Sequence, residues 1–304
     1  RTWLKTVDFE PTLNAWGESG LLEFDPAALA PGRDERLLEV FNASKPIRRA
    51  QARMGEARAL AEETLNAHQR ASRTLVVLNT VDRATDLYRQ LCKTLEKRKA
   101  EKPKVVLIHS RFRPPDRSKA MADLLAEPRD EGTIIVSTQV VEAGVDVSAR
   151  TLFSELAPWA SLVQRFGRCN RGGEFAKHEA AVFWIDLPDD TKNRAGAARP
   201  YELEELQSAR ERLAGIGDAG PSSLGRADLP LQHSQVIRRK DMIDLFDTTP
   251  DLAGNDIDID RYVRETEETD VRVFWRAWDQ PHGNEAPRET EPAPRREELC
   301  PAPV

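Results

Sequence analysis

The residues best suited to chemistry lie in one short run, residues 164–171, which reads QRFGRCNR. Its three arginines, Arg165, Arg168 and Arg171, would share nearly one face if a helix continued through all of them. Like charges on one face repel each other, and a polyphosphate would relieve that repulsion, because guanidinium groups are fixed, bidentate donors to phosphate oxygens. Taken alone, a solvated basic helix face explains the run about as well.

A second set of polar residues follows the apolar stretch GTIIVST, which predicts a buried strand. Ser137, Thr138 and Gln139 lie at its carboxyl end, where ligands of α/β sheets usually bind. Further on, Gly144 permits close approach of the backbone, and Asp146 carries a carboxylate that suits a ribose hydroxyl. The competing interpretation is an ordinary turn in which the glycine supplies a positive φ.

Two other predicted strands also end in polar residues. The strand KVVLI is followed by HSRFR, which places Ser110 and Arg111 after its end, and RTLVVLN is followed by Thr80. Hydroxyl and guanidinium groups at a strand end suit contacts with phosphates. Each of these sites, taken singly, is explained as well by a polar loop.

A regular scaffold can be predicted around these residues. Residues 73–186 alternate short runs rich in β-branched residues with helical stripes, giving five strands separated by helices. Apolar strands of this kind predict a parallel α/β sheet covered by helices on both faces. Because parallel strands end at the same edge of a sheet, we expect the polar strand ends to lie side by side.

The flanking regions are less regular. Residues 1–72 are predicted to lead into the sheet domain and to include a helix over 45–68, which is rich in helix formers. Residues 187–304 form a smaller mixed region. We predict there a polar linker (PDDTKNRAGAARP), helices over 201–213 and 238–248, a strand over 271–278, and a poorly ordered tail from residue 280.

Composition narrows the class of protein. The 304 residues carry a net charge of −6, which excludes an overall basic coat but leaves room for a local basic strip. Cys92, Cys169 and Cys300 are far apart, and no ligand spacing is present, so neither a metal site nor a disulfide scaffold is predicted. We expect a reducing, cytoplasmic location. The longest apolar run is well short of the ~20 residues that span a bilayer, so no membrane association is expected.

In this order and spacing, HSRF, STQVVEAGVDV and QRFGRCNR resemble motifs IV, V and VI of the second RecA-like lobe of a superfamily 2 helicase. The resemblance covers about residues 73–186 and departs from the usual QRxGRxGR at Asn170, which replaces the second glycine. The stretches ELAPWASLVQRFGRCNR and HSRFRPPDR are further similar to the CRISPR-associated helicase-nuclease of type I interference systems. The later stretches RRKDMIDLFDTTPDL and VRVFWR resemble its type I-G (formerly I-U) branch.

The resemblance implies a role for each matching residue. Arg171 matches the arginine finger, Arg168 a neighbouring phosphate contact, and Gln164 the residue near the γ-phosphate and attacking water. Arg165, Gly144 and Asp146 are expected at the nucleotide. Contacts with the backbone of single-stranded DNA are expected from six residues: Thr138, Ser137, Gln139, Ser110, Arg111 and Thr80.

The resemblance also implies a larger assembly. No GxxxxGK[ST] loop occurs in the chain, so ATP and Mg²⁺ would be bound mainly by a first RecA-like lobe outside it, and an HD nuclease domain is expected outside it as well. We therefore expect a fragment or a separate subunit, inactive alone. The predicted function is that of a motor-lobe segment of an ATP-dependent single-stranded DNA translocase in antiviral defence, recruited by a crRNA-guided surveillance complex. The alternatives are another superfamily 2 RNA or DNA-repair helicase, and a non-catalytic RecA-like binding module.

Overall fold

The computed structural model of the chain describes residues 32, 34–98, 102–176, 179–224, 239, 270–274 and 294–303. Apart from residue 239, these belong to one compact unit formed by residues 29–225 and 270–303. The helix predicted over 238–248 lies outside the described residues except at that one position.

Six strands form a single sheet in the order β1–β6–β5–β2–β4–β3, and every neighbouring pair is parallel. The strands are β1 (Ile47–Arg53), β2 (Arg73–Val77), β3 (Lys104–Ile108), β4 (Thr133–Ser137), β5 (Thr151–Glu155) and β6 (Ala181–Asp186). All residues of β4 and β5 are buried, because helices cover both faces of the sheet. The predicted parallel α/β sheet is confirmed.

Helices connect the strands. They are α1 (Glu35–Phe41), α2 (Ala57–Ala67), α3 (Val81–Glu96), α4 (Pro114–Leu125), α5 (Trp159–Phe166), α6 (Thr191–Ala198), α7 (Leu203–Ala214) and α8 (Pro221–Leu224). The predicted stripe of α3 is buried at Ala84, Leu87, Leu91 and Leu95. Among the helices of the described ranges, none is long and apolar enough to cross a membrane.

The helix predicted over 45–68 is wrong in its first half, where the chain forms β1. Ala50 and Ala52 of β1 are buried while Gln51 between them is exposed, which is the alternation of a strand. Alanine, arginine and glutamine favour helices, but pairing with β6 outweighs that preference. The Glu63 carboxylate accepts hydrogen bonds from the amides of Gln51 and Ala52, both at 3.0 Å, and so covers the free edge of β1.

The region after β6 packs on the sheet domain. The stretch predicted as a polar linker contains α6, which begins after Asp190, whose side chain caps it. Arg83 of α3 donates to the carbonyls of Ala197 and Arg199, both at 3.0 Å, and α7 packs against α5. Residues 187–224 therefore brace the same compact unit.

The carboxyl-terminal residues contribute a small second sheet. The strand β7 (Asp270–Val273) pairs antiparallel with β8 (Cys300–Pro303), preceded by a 3₁₀ turn at Arg296–Glu298. The first residues of the strand predicted over 271–278, residues 271–273, thus do form a strand. Within the tail predicted to be poorly ordered, residues 300–303 form a strand.

The burial pattern of β1 generates a stability prediction. Changing Ala52→Gln forces an amide into a position that is 2% exposed, and we expect it to lower the free energy of unfolding by about 2–4 kcal/mol. The reciprocal change at the exposed neighbour, Gln51→Ala, should alter it by less than about 0.5 kcal/mol. Chemical denaturation of both variants measures the difference, and equal effects would contradict the strand assignment.

Candidate functional site

Three neighbouring strands carry the predicted polar residues at one edge of the sheet. Because β2, β4 and β3 are adjacent and parallel, the residues that follow them, Asn79, Thr138 and His109, lie side by side. The Thr138 amide donates to the Ile108 carbonyl at 3.4 Å, which joins two of these strand ends. The expected common edge is confirmed, and we call it the carboxyl edge.

The loop after β3 exposes polar groups at the carboxyl edge. Ser110 is exposed and Arg111 is partly exposed, with its guanidinium 3.8 Å from the Asp82 carboxylate. The Arg111 amide donates to Nδ1 of His109, whose ring stacks on Phe112 at a centroid distance of 4.4 Å. Burial and the Arg111 charge lower the pKa of His109, so the ring is neutral at pH 7 and Nδ1 can accept this bond.

Other residues predicted at this edge make contacts inside the protein. The hydroxyl of the fully buried Ser137 donates to the Thr138 carbonyl at 3.0 Å. The Thr80 hydroxyl accepts a backbone hydrogen bond that caps α3, and the Gln139 amide donates to the Asn79 carbonyl at 2.9 Å. These contacts give Ser137, Thr80 and Gln139 roles in shaping the edge, whereas Ser110 and Arg111 reach the surface.

The chain then crosses from the carboxyl edge to the opposite, amino edge of the sheet along residues 139–148, which we call the crossing segment. It begins with a 3₁₀ turn at Gln139–Val141 and ends just before β5. Gly144 has a φ of +73° and open space where a side chain would be, so glycine satisfies the backbone and leaves room for a ligand. Asp146 is exposed.

The helix α5 ends at Phe166, so the three arginines of QRFGRCNR do not share one helical face. Arg165 is fully buried in the helix, Arg168 is 8% exposed in the following turn, and Arg171 lies beyond that turn with 44% of its side chain exposed. Gln164 is exposed on α5. The three arginines therefore have three different environments.

Arg165 holds the crossing segment from within the fold. Its Nε donates to the Glu142 carboxylate at 2.8 Å, and its Nη1 donates to the Glu155 carbonyl at 3.0 Å and to the Ser154 hydroxyl at 3.2 Å. The guanidinium is 0% exposed, so no cofactor phosphate can reach it in this arrangement. In this structure the protein itself supplies the anion of Arg165, and its expected contact with the nucleotide stays a prediction.

The carboxylate of Glu155 forms a second buried contact of β5. Its Oε2 accepts a hydrogen bond from the Asn79 amide at 2.7 Å, and its Oε1 lies 3.0 Å from Nε of Arg83. Burial raises the pKa of Glu155, and the Arg83 charge opposes that shift. This pair ties the end of β5 to the start of α3.

Arg168 binds the backbone of the crossing segment. Its Nε donates to the Val141 carbonyl at 2.7 Å and its Nη2 to the Glu142 carbonyl at 2.6 Å. Burial, and next the charge of Arg171, lower the pKa of Arg168. Arg168 thus joins the arginine-bearing turn to the crossing segment, with part of its guanidinium still at the surface.

Arg171 and Asp146 form an ion pair at the amino edge, with 2.7 Å between Nε and Oδ1. The Arg171 amide also donates to the Ser148 hydroxyl at 2.9 Å. Both charged residues line an open cavity of about 520 Å³. Three arginines and three acidic residues contribute to its wall: Arg36, Arg73, Arg171, Glu127, Asp146 and Glu174. The cavity offers hydrogen-bond donors to phosphates and an acceptor to a ribose hydroxyl.

The structure shows why asparagine can stand at position 170, where the motif has glycine. Its φ is +44°, a conformation that glycine adopts freely and that asparagine tolerates better than most residues. Its side chain donates to the Ser44 carbonyl at 3.2 Å and to the Phe175 carbonyl at 3.1 Å, and it accepts from the Phe175 amide at 2.9 Å. The asparagine therefore keeps the turn and adds three contacts that glycine lacks.

The sequence did not predict that the site would be divided between two edges. The DNA-contact candidates Ser110 and Arg111 lie at the carboxyl edge, while Arg171 and Asp146 lie at the amino edge. Glu142 was missed as the partner of Arg165, although it lies within the recognised motif. No signal in the sequence pointed to Arg36 or Arg73, which reach the cavity from distant elements.

Known proteins match this part of the chain. Residues 70–174 match the family model described as CRISPR-associated nuclease/helicase Cas3, C-terminal. The CRISPR-associated helicase Cas3 of Thermoproteus tenax is 31% identical over 143 residues, 46% of this chain and 21% of the relative. The CRISPR-associated nuclease/helicase Cas3 of Haloferax volcanii is 37% identical over 118 residues, 38% of this chain and 12% of the relative. The chain thus spans about a fifth or less of these relatives.

A solved structure agrees on the fold. The crystal structure of T. fusca Cas3 superposes with a TM-score of 0.50 at 22% identity, covering 59% of this chain and 23% of that chain. The sheet order and this superposition show a RecA-like α/β fold. Over residues 70–174 the chain is similar to the Cas3-like carboxyl-terminal family. The assignment to the type I-G branch stays a prediction.

The buried ion pair of Arg165 generates a stability prediction. Arg165→Ala leaves Glu142, which is 12% exposed, without its cation, and we expect a loss of about 3–5 kcal/mol in the free energy of unfolding. Arg89→Ala is the control, because its ion pair with Asp86 is 71% and 62% exposed and should change stability by less than about 1 kcal/mol. Chemical denaturation separates the two, and similar losses would show that burial does not set the strength of the Arg165 contact.

Proposed function

We propose that this chain supplies the second motor lobe of an ATP-driven translocase of single-stranded DNA that acts in CRISPR defence. The observation that carries the proposal is the exposed Arg171 at an open cavity of about 520 Å³, opposite Asp146 and next to Ser148. Arg171 is 44% exposed and its backbone is fixed by Ser148, so its guanidinium is available to a nucleotide held by another domain. The family match over residues 70–174 supports the same conclusion.

In this proposal ATP lies between the cavity and a first RecA-like lobe outside the chain. Arg171 exchanges its bond with Asp146 for the terminal phosphate and neutralises charge that develops during phosphoryl transfer. The freed Asp146 carboxylate accepts from the ribose. We assign to Gln164, which is exposed on α5, the role of orienting the attacking water, and to Arg168, which binds the crossing segment, a further phosphate contact.

Mg²⁺ would be held by the first lobe and would supply positive charge to the phosphates. Among residues 34–98, 102–176, 179–224 and the shorter described ranges, there is no group of three His, Cys, Asp or Glu side chains that could hold a metal ion. The residues of this lobe would instead act on the phosphates directly through Arg171.

The nucleic acid would run along the carboxyl edge. Ser110 and Arg111 reach the surface there, and backbone groups near Thr138 complete the edge. Contacts of this kind bind phosphates without reading bases, as a translocase requires. The crossing segment joins this edge to the cavity, and Arg165 and Arg168 fasten it to α5. A change at the nucleotide could therefore move the DNA contacts.

The family match also supports a setting for the motor. We propose that the whole protein carries an HD nuclease, works in the cytoplasm and is recruited by a crRNA-guided surveillance complex. The chain spans 21% and 12% of the two relatives named above.

Phosphate release tests the proposed function. The assay uses a polypeptide that carries this lobe together with its first lobe, with single-stranded DNA, RNA or no nucleic acid. Turnover stimulated by DNA supports the proposal, and stimulation by RNA alone would point to an RNA helicase instead. The absence of turnover under all three conditions would leave a binding module and refute the motor.

Removing the arginine finger separates catalysis from binding. In the two-lobe polypeptide, Arg171→Ala should lower DNA-stimulated ATP turnover by about 10³-fold or more, because the arginine finger that neutralises the transferred phosphoryl is lost. Affinity for single-stranded DNA should stay within about twofold. Arg58→Ala is the control, since Arg58 is 86% exposed, pairs with Glu62 of the same helix, and follows β1, which is at the opposite end of the sheet from β3. A parallel loss of turnover and DNA affinity would contradict this role.

The carboxyl edge can be tested by the salt dependence of binding. Arg111→Ala should reduce the slope of log affinity against log salt by about 0.7, which corresponds to one phosphate contact on a single strand. Ser137→Ala should leave the slope unchanged, because that hydroxyl is fully buried and bonded to the Thr138 carbonyl. A slope altered by Ser137→Ala but not by Arg111→Ala would place the DNA elsewhere.

A further inference from the structure

A partly buried cluster lies next to the arginine-bearing turn. It consists of Ser44, Lys45, Asn170 and Asp218, and we call it the clasp. Ser44 and Lys45 precede β1, whereas Asp218 follows α7, so the clasp joins two segments that are distant in sequence from QRFGRCNR. None of these residues touches the proposed ligands.

Lys45 contacts the end of α5. Its side chain is only 3% exposed, and its Nζ donates to the Phe166 carbonyl at 3.0 Å. Phe166 is the last residue of α5, where the helix dipole favours a cation. The neighbouring Cys169 is a neutral thiol, because burial raises its pKa to about 12. A buried ammonium is costly, and a methionine of similar length would fill the same volume without that cost.

Asn170 contacts the other half of the clasp. Its amide nitrogen donates to the Ser44 carbonyl at 3.2 Å, and its backbone amide donates to the Ala149 carbonyl at 2.9 Å. The next residue is Arg171, whose own amide is held by the Ser148 hydroxyl. The turn that carries Arg171 is thus fixed both by Ser44 and by the crossing segment.

Asp218 makes the clasp rigid. Its carboxylate accepts from the Ser44 hydroxyl at 2.7 Å, from the Lys45 amide at 3.0 Å and from the Gly220 amide at 2.6 Å. The backbone approach is close, since a Cβ on Gly220 would lie 2.3 Å from the Ala43 carbonyl oxygen. Because three donors converge on one carboxylate, Ser44 and Lys45 have a fixed position relative to the segment after α7.

We infer that Lys45 and Asn170 are positioning residues for Arg171, which they hold at the place where the cavity opens. The inference rests on the proposed function and deepens it, because the clasp acts only through the arginine. A displacement of about 1 Å at a reacting group can cost on the order of 10²-fold in rate. Two bonds at the base of the turn prevent such a displacement.

The first test is Lys45→Met in the two-lobe polypeptide. We expect kcat for DNA-stimulated ATP turnover to fall by about 10–100-fold, with KM for ATP and affinity for DNA within about twofold. The midpoint of thermal unfolding should be unchanged or higher, because a buried charge is removed. Lys93→Met, at an exposed position of α3, should have no effect on turnover. An unchanged kcat in the folded Lys45→Met protein would overturn the inference.

The second test reports on the turn without any catalysis. Asn170→Gly keeps the positive φ but removes the three side-chain bonds, so amide hydrogen exchange over residues 168–172 of the 304-residue chain should become about 10-fold faster or more. Exchange over β4, which the clasp does not contact, serves as the internal reference. Unaltered exchange over residues 168–172 would overturn the inference. If the unsubstituted polypeptide had no ATP turnover, the proposed function would fail, and exchange would still decide whether the clasp fixes the turn.

Discussion

The arrangement of the lobe depends on one buried guanidinium, that of Arg165. It is 0% exposed and donates to the Glu142 carboxylate, the Ser154 hydroxyl and the Glu155 carbonyl. A charge at this depth is tolerated only when its partners satisfy it, and these partners come from β5 and the crossing segment. The contact therefore fixes α5 against both, and it sets where the residues that follow α5 emerge.

The residues after α5 lie at the amino edge of the sheet, opposite to the polar strand ends. The crossing segment leaves the carboxyl edge at Gln139 and reaches the amino edge at Ser148, where its hydroxyl accepts from the Arg171 amide. Arg168 holds the middle of that segment through two backbone carbonyls. One continuous stretch of chain, bonded along its length to α5, thus connects the two proposed ligand sites. Coupling between them needs no further element.

The fold and the motif positions could be predicted from the sequence because both depend on the types and spacing of residues within short stretches. The apolar strands of a covered parallel sheet and the stripe of α3 are examples. The strand β1 could not be predicted, since its alanines, arginines and glutamine favour a helix until β6 pairs with them. The sequence also did not predict which arginines of QRFGRCNR would be buried and which would be exposed. Whether Arg165 points inward to Glu142 or outward to a ligand depends on where α5 ends, and boundaries are set by packing.

Asn170 and Lys45 show how a motif can change one residue and keep its geometry. A glycine at the position of Asn170 would adopt the positive φ without strain, but it would make no side-chain contact. Here asparagine accepts a less favourable backbone and gains bonds to Ser44 and Phe175, so the turn is held by the segment that precedes β1. That segment also carries Lys45 to the end of α5. Asn170 and the buried Lys45 therefore act together. Glycine could not make these side-chain contacts, so the segment before β1 holds the turn. That turn carries Arg171, the most exposed of the three arginines in QRFGRCNR.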